Sequence, residues 1–256
     1  MLHRMISLLK DIKRFMMDIH AFFLFKIFFK RNIKSKNIVN LIDGVTVVVT
    51  SCGRPEHLKE MLLSFTKHNT YEIFEIIIVE DAGCYESLRI AESIVPSNKL
   101  KIIFHEQNKG QMVSIDEAYS LVKTKHIFHI EEDWLFINSG FIEKSFEIMN
   151  YDKSIGYVCL RPYSDYSMYT LVNGKENKFK LFKTRNLIWK GIFLNPGIYY
   201  TQKYLDIGIY KKYKKERQLI QAYNHIGLKG AITNNEYGYV VHNGEGFSTR
   251  KNFKVG

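Results

Sequence analysis

The sequence predicts an α/β protein with a mostly parallel central sheet, helices on both faces, and an added amphipathic helix at its N-terminus. Three observations carry this expectation. Short β-branched or aliphatic runs recur at 45–50, 74–79, 100–104 and 126–130. Segments with apolar residues at helical spacing lie between them, and the first 36 residues join a helical apolar stripe to a concentration of basic side chains. Strands covered on both faces read as unbroken apolar runs, and alternating strands and helices close into a parallel sheet through right-handed crossovers.

In the N-terminal arm, Met5, Leu8, Leu9, Ile12, Met16 and Ile19 share one helical face, with Lys10, Lys13 and Arg14 off it. An aromatic run follows at 21–29, interrupted by Lys26 and closed by Lys30 and Arg31. That run is well short of the roughly 20 apolar residues a membrane span needs, and no small-residue cleavage site follows it as in a signal peptide. Residues 1–36 hold nine basic and two acidic side chains, a surplus of seven within the chain's net charge of +11. Two readings stand. Residues 1–31 lie in the interface of an anionic membrane, peripheral on the inner face of the cell membrane of a cytoplasmic protein, or they pack on their own domain or a partner subunit. Because the positive charge is local to the arm, no nucleic-acid partner is expected.

From residue 37 the elements alternate. The strand at 45–50 runs into a loop at 51–55, then a helix at 56–67 presents Leu58, Met61, Leu62 and Phe65 on one face. The strand at 74–79 ends in Glu80-Asp81-Ala82-Gly83, followed by a helix at 85–94 and a strand at 100–104. A loop at 106–110 precedes a helix near 111–123, and the strand at 126–130 runs directly into Glu131-Glu132-Asp133. Beyond 150 the pattern loosens into short strands and loops over 157–200, a helix over 211–226, and a strand with a polar tail over 237–249. Neither GxGxxG nor a Walker A sequence occurs, which counts against a nicotinamide or flavin enzyme and a P-loop NTPase. Cys52, Cys84 and Cys159 are odd in number and widely spaced, so they are expected as reduced, mostly buried thiols.

Ligands of such sheets sit beyond the carboxyl ends of the strands. Glu80-Asp81, Asn108-Lys109 and Glu131–Asp133 all fall just after strand ends, so they are expected to converge. Three consecutive acids at a half-buried strand end repel one another and lose hydration. A divalent cation removes that conflict, and oxygen ligands suit Mn²⁺ or Mg²⁺, which also take phosphate oxygens and water.

These residues carry a family resemblance. Val79-Glu80-Asp81-Ala82-Gly83 resembles the V-D-D-G-S stretch of family 2-like glycosyltransferases with the GT-A fold. Asn108-Lys109-Gly110 is similar to that family's N-x-G loop, and Ile130-Glu131-Glu132-Asp133 stands where its D-x-D motif stands. Val47-Val48-Val49-Thr50-Ser51 resembles its first strand and nucleotide loop. The likeness is strong over 44–136 and weaker beyond. Glutamate replaces aspartate at Glu80 and Glu131, and Ala82-Gly83 replaces Gly-Ser.

The resemblance implies a metal-dependent, inverting transfer of a sugar from a nucleotide-sugar donor, a UDP-sugar, to a glycan or lipid-linked acceptor, in bacterial surface polysaccharide synthesis. It implies a GT-A domain over 37–256, with a nucleotide-binding half at 37–136 and an acceptor-side half at 137–256. Asp133 would be the direct metal ligand and Asp81 the nucleobase contact. Thr50, Ser51 and Arg54 would line the donor loop, Glu80, Asn108 and Lys109 would adjoin the nucleotide, and Glu131 would reach a ribose hydroxyl or a metal-bound water. Glu216, opening a predicted helix, matches the family's catalytic base. His242 matches a late histidine on the metal or the diphosphate. Trp189 and Asn195 resemble the acceptor-side region. Two rivals remain at this point: a sugar nucleotidyltransferase of related fold, and a non-catalytic membrane- or nucleic-acid-binding module using the basic arm.

Overall fold

In the computed structural model, which describes residues 2–30, 33, 39–166, 170–182, 191–192, 194–213 and 215–244, the chain runs through seven α-helices and eleven strands. In order these are α1 (Leu2–Phe28), β1 (Ile42–Ser51), α2 (Pro55–His68), β2 (Glu75–Glu80), α3 (Tyr85–Ile94), β3 (Leu100–Phe104), α4 (Gln111–Ser120), β4 (Thr124–Glu131) and β5 (Trp134–Phe136). Then come α5 (Phe141–Tyr151), β6 (Ile155–Cys159), β7 (Leu171–Asn173), β8 (Phe179–Phe182), β9 (Gly197–Tyr200), α6 (Thr201–Ile207), α7 (Glu216–His225), β10 (Lys229–Thr233) and β11 (Val240–His242). Trp189 and the polar tail beyond 244 lie outside the described residues.

Among the described residues, nine strands form one sheet in the order β3-β2-β1-β4-β9-β6-β10-β8-β7. The first four are mutually parallel, and in the second half β9 runs against β4 and β6 while β8 runs against β10 and β7. The remaining pair, β6 and β10, is parallel. The α/β class and the largely parallel sheet follow the expectation from sequence. Separately, β11 pairs antiparallel with β5, setting His242 opposite Trp134.

Strand periodicity explains why both faces need cover. Val45, Val47, Val49, Ile76, Ile78, Phe128 and Ile130 enter one core with Leu58, Met61, Leu62 and Phe65 of α2 and Phe141, Ile142 and Ile148 of α5. The alternate residues Val48, Ile77, Val79 and Ile127 enter a second core with Ile115 and Tyr119 of α4, Tyr204 of α6, and Leu219 and Tyr223 of α7. Each such aliphatic side chain contributes about 2 kcal/mol on burial, so the parallel strands are stable only between two layers of helices.

The expected helix over 211–226 is cut short, because Lys215 is extended (φ −147, ψ 146) and α7 begins at Glu216. Tyr210 and Tyr213 are buried just upstream, and the Tyr213 hydroxyl donates to the Ile207 carbonyl at 2.8 Å. Sinking those two rings forces the chain to turn before the helix starts, which makes Glu216 its first residue.

One face of α1 packs on the body of the protein. Ala21 and Phe25 are buried, Phe25 meets the His225 ring at 5.7 Å, and Asp18 pairs with Arg217 of α7. Just past the helix, Phe29 meets the Tyr213 ring at 5.3 Å. On the opposite side Leu9, Ile12, Met16, Phe23 and Ile27 are exposed. Among the described residues, no helix is long and apolar enough to cross a membrane.

Candidate active site at the carboxyl rim of the sheet

Strand register brings the acidic positions level. Ser51 stands opposite Glu80 across β1 and β2, and Thr50 stands opposite Glu131 across β1 and β4. Three adjacent strands spaced about 4.8 Å apart thus end in Glu80, Ser51 and Glu131, with the 51–54 loop between the acids.

Glu80 is fully buried and shapes that loop: one carboxylate oxygen accepts from the Ser51 hydroxyl at 2.8 Å and the other from the Gly53 amide at 2.9 Å. Asp81 shapes the next loop. Its Oδ1 accepts from the Lys109 amide at 2.8 Å and its Oδ2 from the Gly110 amide at 2.9 Å. Gly110 has φ +94, a conformation that favours glycine, and it caps α4. Asn108 donates from Nδ2 to the Asp81 carbonyl at 3.0 Å, while its Oδ1 is buried without a partner among the described residues. The Lys109 ammonium turns outward to Glu117 of α4 at 3.2 Å. Both carboxylate oxygens of Asp81 are therefore engaged within the protein, where they hold the 108–110 loop.

His105, which the sequence reading did not single out, completes this corner. It is buried between Asp81 (Nδ1 to Oδ1, 2.8 Å) and Glu117 (Nε2 to Oε2, 2.5 Å). It lies one residue beyond β3, so the strand-end rule that selected the acids also reaches it.

At the end of β4 the acids crowd together. Burial first, then the charges of Asp133 and Glu132, pushes Glu131 up to about 8. Burial likewise pushes Glu132 up to about 7, against the pull of Arg54. Glu131 accepts from Gln111 Nε2 at 2.6 Å and from the Trp134 indole at 3.3 Å. Glu132 accepts from the Cys52 amide at 3.0 Å and from Arg54 Nε at 2.9 Å. Arg54 also reaches Asp133 Oδ2 at 3.0 Å. The residue expected to face the donor thus holds two carboxylates, which the sequence could not reveal because its partners lie some 80 positions away. Burial and Glu132 push the Cys52 thiol up to about 11, so it stays neutral. All three cysteines are free, but only Cys159 is buried; Cys52 and Cys84 are half-buried, against the expectation of mostly buried thiols.

Asp133 and His242 meet across β5 and β11, with Nε2 3.3 Å from Oδ2. The His242 ring rests on the edge of Trp134 at 4.9 Å between centroids, and Arg161 covers Trp134 at 5.1 Å. Gly244 lies so close that a Cβ there would meet the Asp133 Cβ at 2.7 Å. Among the described residues, Asp133 Oδ1 is buried without a partner. An orphaned carboxylate oxygen beside an imidazole is a donor set that Mn²⁺ or Mg²⁺ accepts. Among the described residues no group of three His, Cys, Asp or Glu is arranged to hold an ion by itself. These two side chains would fit a divalent ion only together with ligands from outside the protein, such as phosphate oxygens and water.

Glu216 belongs to the same rim. Its Oε1 accepts from the Leu194 amide at 3.3 Å, and its charge adds to the repulsion felt by Glu131. Asn195 follows Leu194 and donates to the Tyr166 hydroxyl at 3.5 Å. The fold gathers Thr50, Ser51, Arg54, Glu80, Asp81, Asn108, Glu131, Asp133 and His242 around the 51–54 loop. Only the backbone of Lys109 joins them.

A family model described as Glycosyl transferase family 2 matches residues 46–206. No curated protein matches the chain in sequence. Among solved structures, the 1–349 fragment of S. aureus TarS is similar at 16% identity and TM-score 0.57, covering 77% of this chain and 59% of that one. The same fragment in complex with UDP aligns at 17% identity, TM-score 0.57 and the same coverage. The mannosyltransferase PcManGT from Pyrobaculum calidifontis, in complex with GDP-Man and Mn²⁺, aligns at 14% identity and TM-score 0.57, covering 91% of this chain and 69% of that one. Likeness at these identities shows the fold, which is of the GT-A type. This chain spans about 59% of the TarS fragment's length.

Proposed function

We propose, from the premise that this chain belongs to glycosyl transferase family 2, that it transfers a sugar with inversion from a UDP-sugar to a hydroxyl of a glycan or lipid-linked acceptor. Residues 37–136 would bind the nucleotide and 137–256 the acceptor. The observation that carries this reading is the buried, unpartnered Asp133 oxygen beside His242 at the rim where Glu131 and Glu216 also converge. The TarS fragment in complex with UDP and PcManGT with GDP-Man and Mn²⁺ support a donor of this class and a divalent ion here.

In this reading Asp133 and His242 would hold Mn²⁺ or Mg²⁺, which would supply positive charge to the departing diphosphate. Glu80 and Asp81 keep the 51–54 and 108–110 loops in the shape that receives the nucleoside, alongside Thr50, Ser51 and Asn108. Glu131 would reach a ribose hydroxyl or a metal-bound water. Glu216 takes the proton of the acceptor hydroxyl as that oxygen bonds to the anomeric carbon, and the bonding pair of the sugar–phosphate link leaves with the nucleoside diphosphate. Asn195 and Trp189 belong to the acceptor side.

Screening nucleotide sugars for transfer or hydrolysis with Mn²⁺, beside UDP calorimetry, tests the assignment. Mn²⁺-dependent UDP binding and turnover of one donor are expected. A chain that binds no nucleotide or nucleotide sugar with either ion has another function.

The acceptor is proposed to lie at an anionic membrane surface, in the synthesis of a bacterial surface polysaccharide. Support comes from α1, whose exposed Leu9, Ile12, Met16, Phe23 and Ile27 are flanked by Lys13, Lys26 and Lys30. A second copy of this helix would bring like charges together, whereas anionic headgroups complement them. The full chain should co-sediment with vesicles containing phosphatidylglycerol and do so about tenfold less after Phe23→Asp. Equal partition into neutral and anionic vesicles, or none into either, counts against it.

A further inference from the structure

A cavity of about 230 Å³ opens between the end of β10, the turn that follows it, and the 177–178 corner between β7 and β8. Its walls include Lys144, Asn177, Lys178, Thr233, Asn234 and Tyr239, and among the described residues no acid lines it. Thr233 is fully buried, and among the described residues its hydroxyl has no partner. Such a group is costly unless something outside the chain bonds to it. Lys144 is shared with Glu147 at 2.7 Å, whereas Lys178 is exposed and has no ion-pair partner among the described residues. The corner stands on two consecutive non-glycine residues in left-handed backbone, Glu176 (φ 53) and Asn177 (φ 58). Strain of that kind gathers at ligand sites. The Asn177 carbonyl accepts from Asn234 Nδ2 at 2.8 Å and ties the two walls together.

The cavity is coupled in position to the acidic rim. Tyr239 is fixed by its amide to the Leu160 carbonyl at 2.7 Å and by its carbonyl to the Ile137 amide at 2.9 Å. It directly precedes β11 (Val240–His242), whose last residue is His242; three residues of chain reach at most about 3.3 Å each, roughly 10 Å. A short oligosaccharide would be long enough to bridge that span. Burial, with Glu147 and Glu143, pushes the Tyr239 phenol up, so it serves as a neutral hydrogen-bonding group.

We propose that this cavity is an acceptor subsite for an anionic sugar unit, one bearing a phosphate or a carboxylate. Lys178 and Lys144 would meet the charge, while Thr233, Asn234 and Tyr239 would bond to its hydroxyls. The proposal rests on the transferase function above and names the acceptor class it uses.

The test titrates the full chain, with UDP and Mn²⁺ saturating the donor region, against glucose 6-phosphate, glucuronate and glucose. At least one anionic probe should bind about tenfold or more tightly than glucose. Lys178→Gln should weaken that probe about fivefold, and Thr233→Val should weaken all three probes. UDP affinity should be unchanged in both variants. Equal affinity for the three probes, or no effect of Lys178→Gln, overturns the subsite. If the wild-type chain fails to bind UDP, the transferase reading falls on its own. The probes are then titrated alone, and binding that depends on Lys178 describes an anion site with no acceptor role, which also overturns the proposal as stated.

Discussion

Asp133→Asn is expected to lower sugar transfer by about a thousandfold or more while leaving the fold intact. Asp133 has one oxygen shared by Arg54 and His242 and a second that is buried and unpartnered. The amide keeps the shape that packs against Gly244 but loses the charge that would hold a divalent ion. Neutralising a diphosphate leaving group is the largest electrostatic task in such a reaction, and removing one preorganised element of it costs on the order of a hundred- to a thousandfold. Losing the ion as well takes the effect to the upper end. Arg54 retains Glu132 as partner, so the loop should keep its conformation. Turnover, UDP affinity at graded Mn²⁺, and circular dichroism measured together decide the matter. Undiminished transfer by the variant, or by the wild type in excess EDTA, would remove the ion from the mechanism.

Glu216→Gln is expected to reduce kcat by about a hundredfold to ten-thousandfold, the range for loss of a general base, with donor affinity little changed. Glu216 is the first residue of α7, and one of its oxygens is tied to the Leu194 amide. That bond orients the carboxylate, and in the proposed role its other oxygen would take the proton of an acceptor hydroxyl. Glutamine keeps the bond to Leu194 but cannot take a proton. An ordinary surface glutamate would give unchanged kinetics. A role in donor binding would raise KM for the donor and leave kcat alone. Either result would move the base elsewhere.

Much of residues 37–136 could be read residue by residue. The helix over 85–94 and the strand over 100–104 match the structure at both ends, and the other early strands and helices agree closely. Periodicity works there because each parallel strand is covered on both faces. Beyond 150 it weakens, since strands such as β7 and β9 are only three or four residues long. Periods that short leave no statistical trace. The helices α5 and α6 and the strand β10 were missed for a similar reason: their apolar residues fall among polar loops and give no long run. Arg54 was legible as a loop cation but not as the partner of Glu132 and Asp133. His105 lay one residue past a strand end and went unmarked.

Local sequence alone determined the α/β class, the amphipathic arm, and the set of acids that terminate strands, because burial on two faces and the loss of hydration at a strand end are short-range demands. Tertiary structure decided which of those acids face each other, which face of α1 is covered, and where α7 begins. Those outcomes depend on strand register and on rings such as Tyr213 finding space in the second core. Both are settled by residues tens of positions apart, whose pairing energy exists only once the chain has closed on itself.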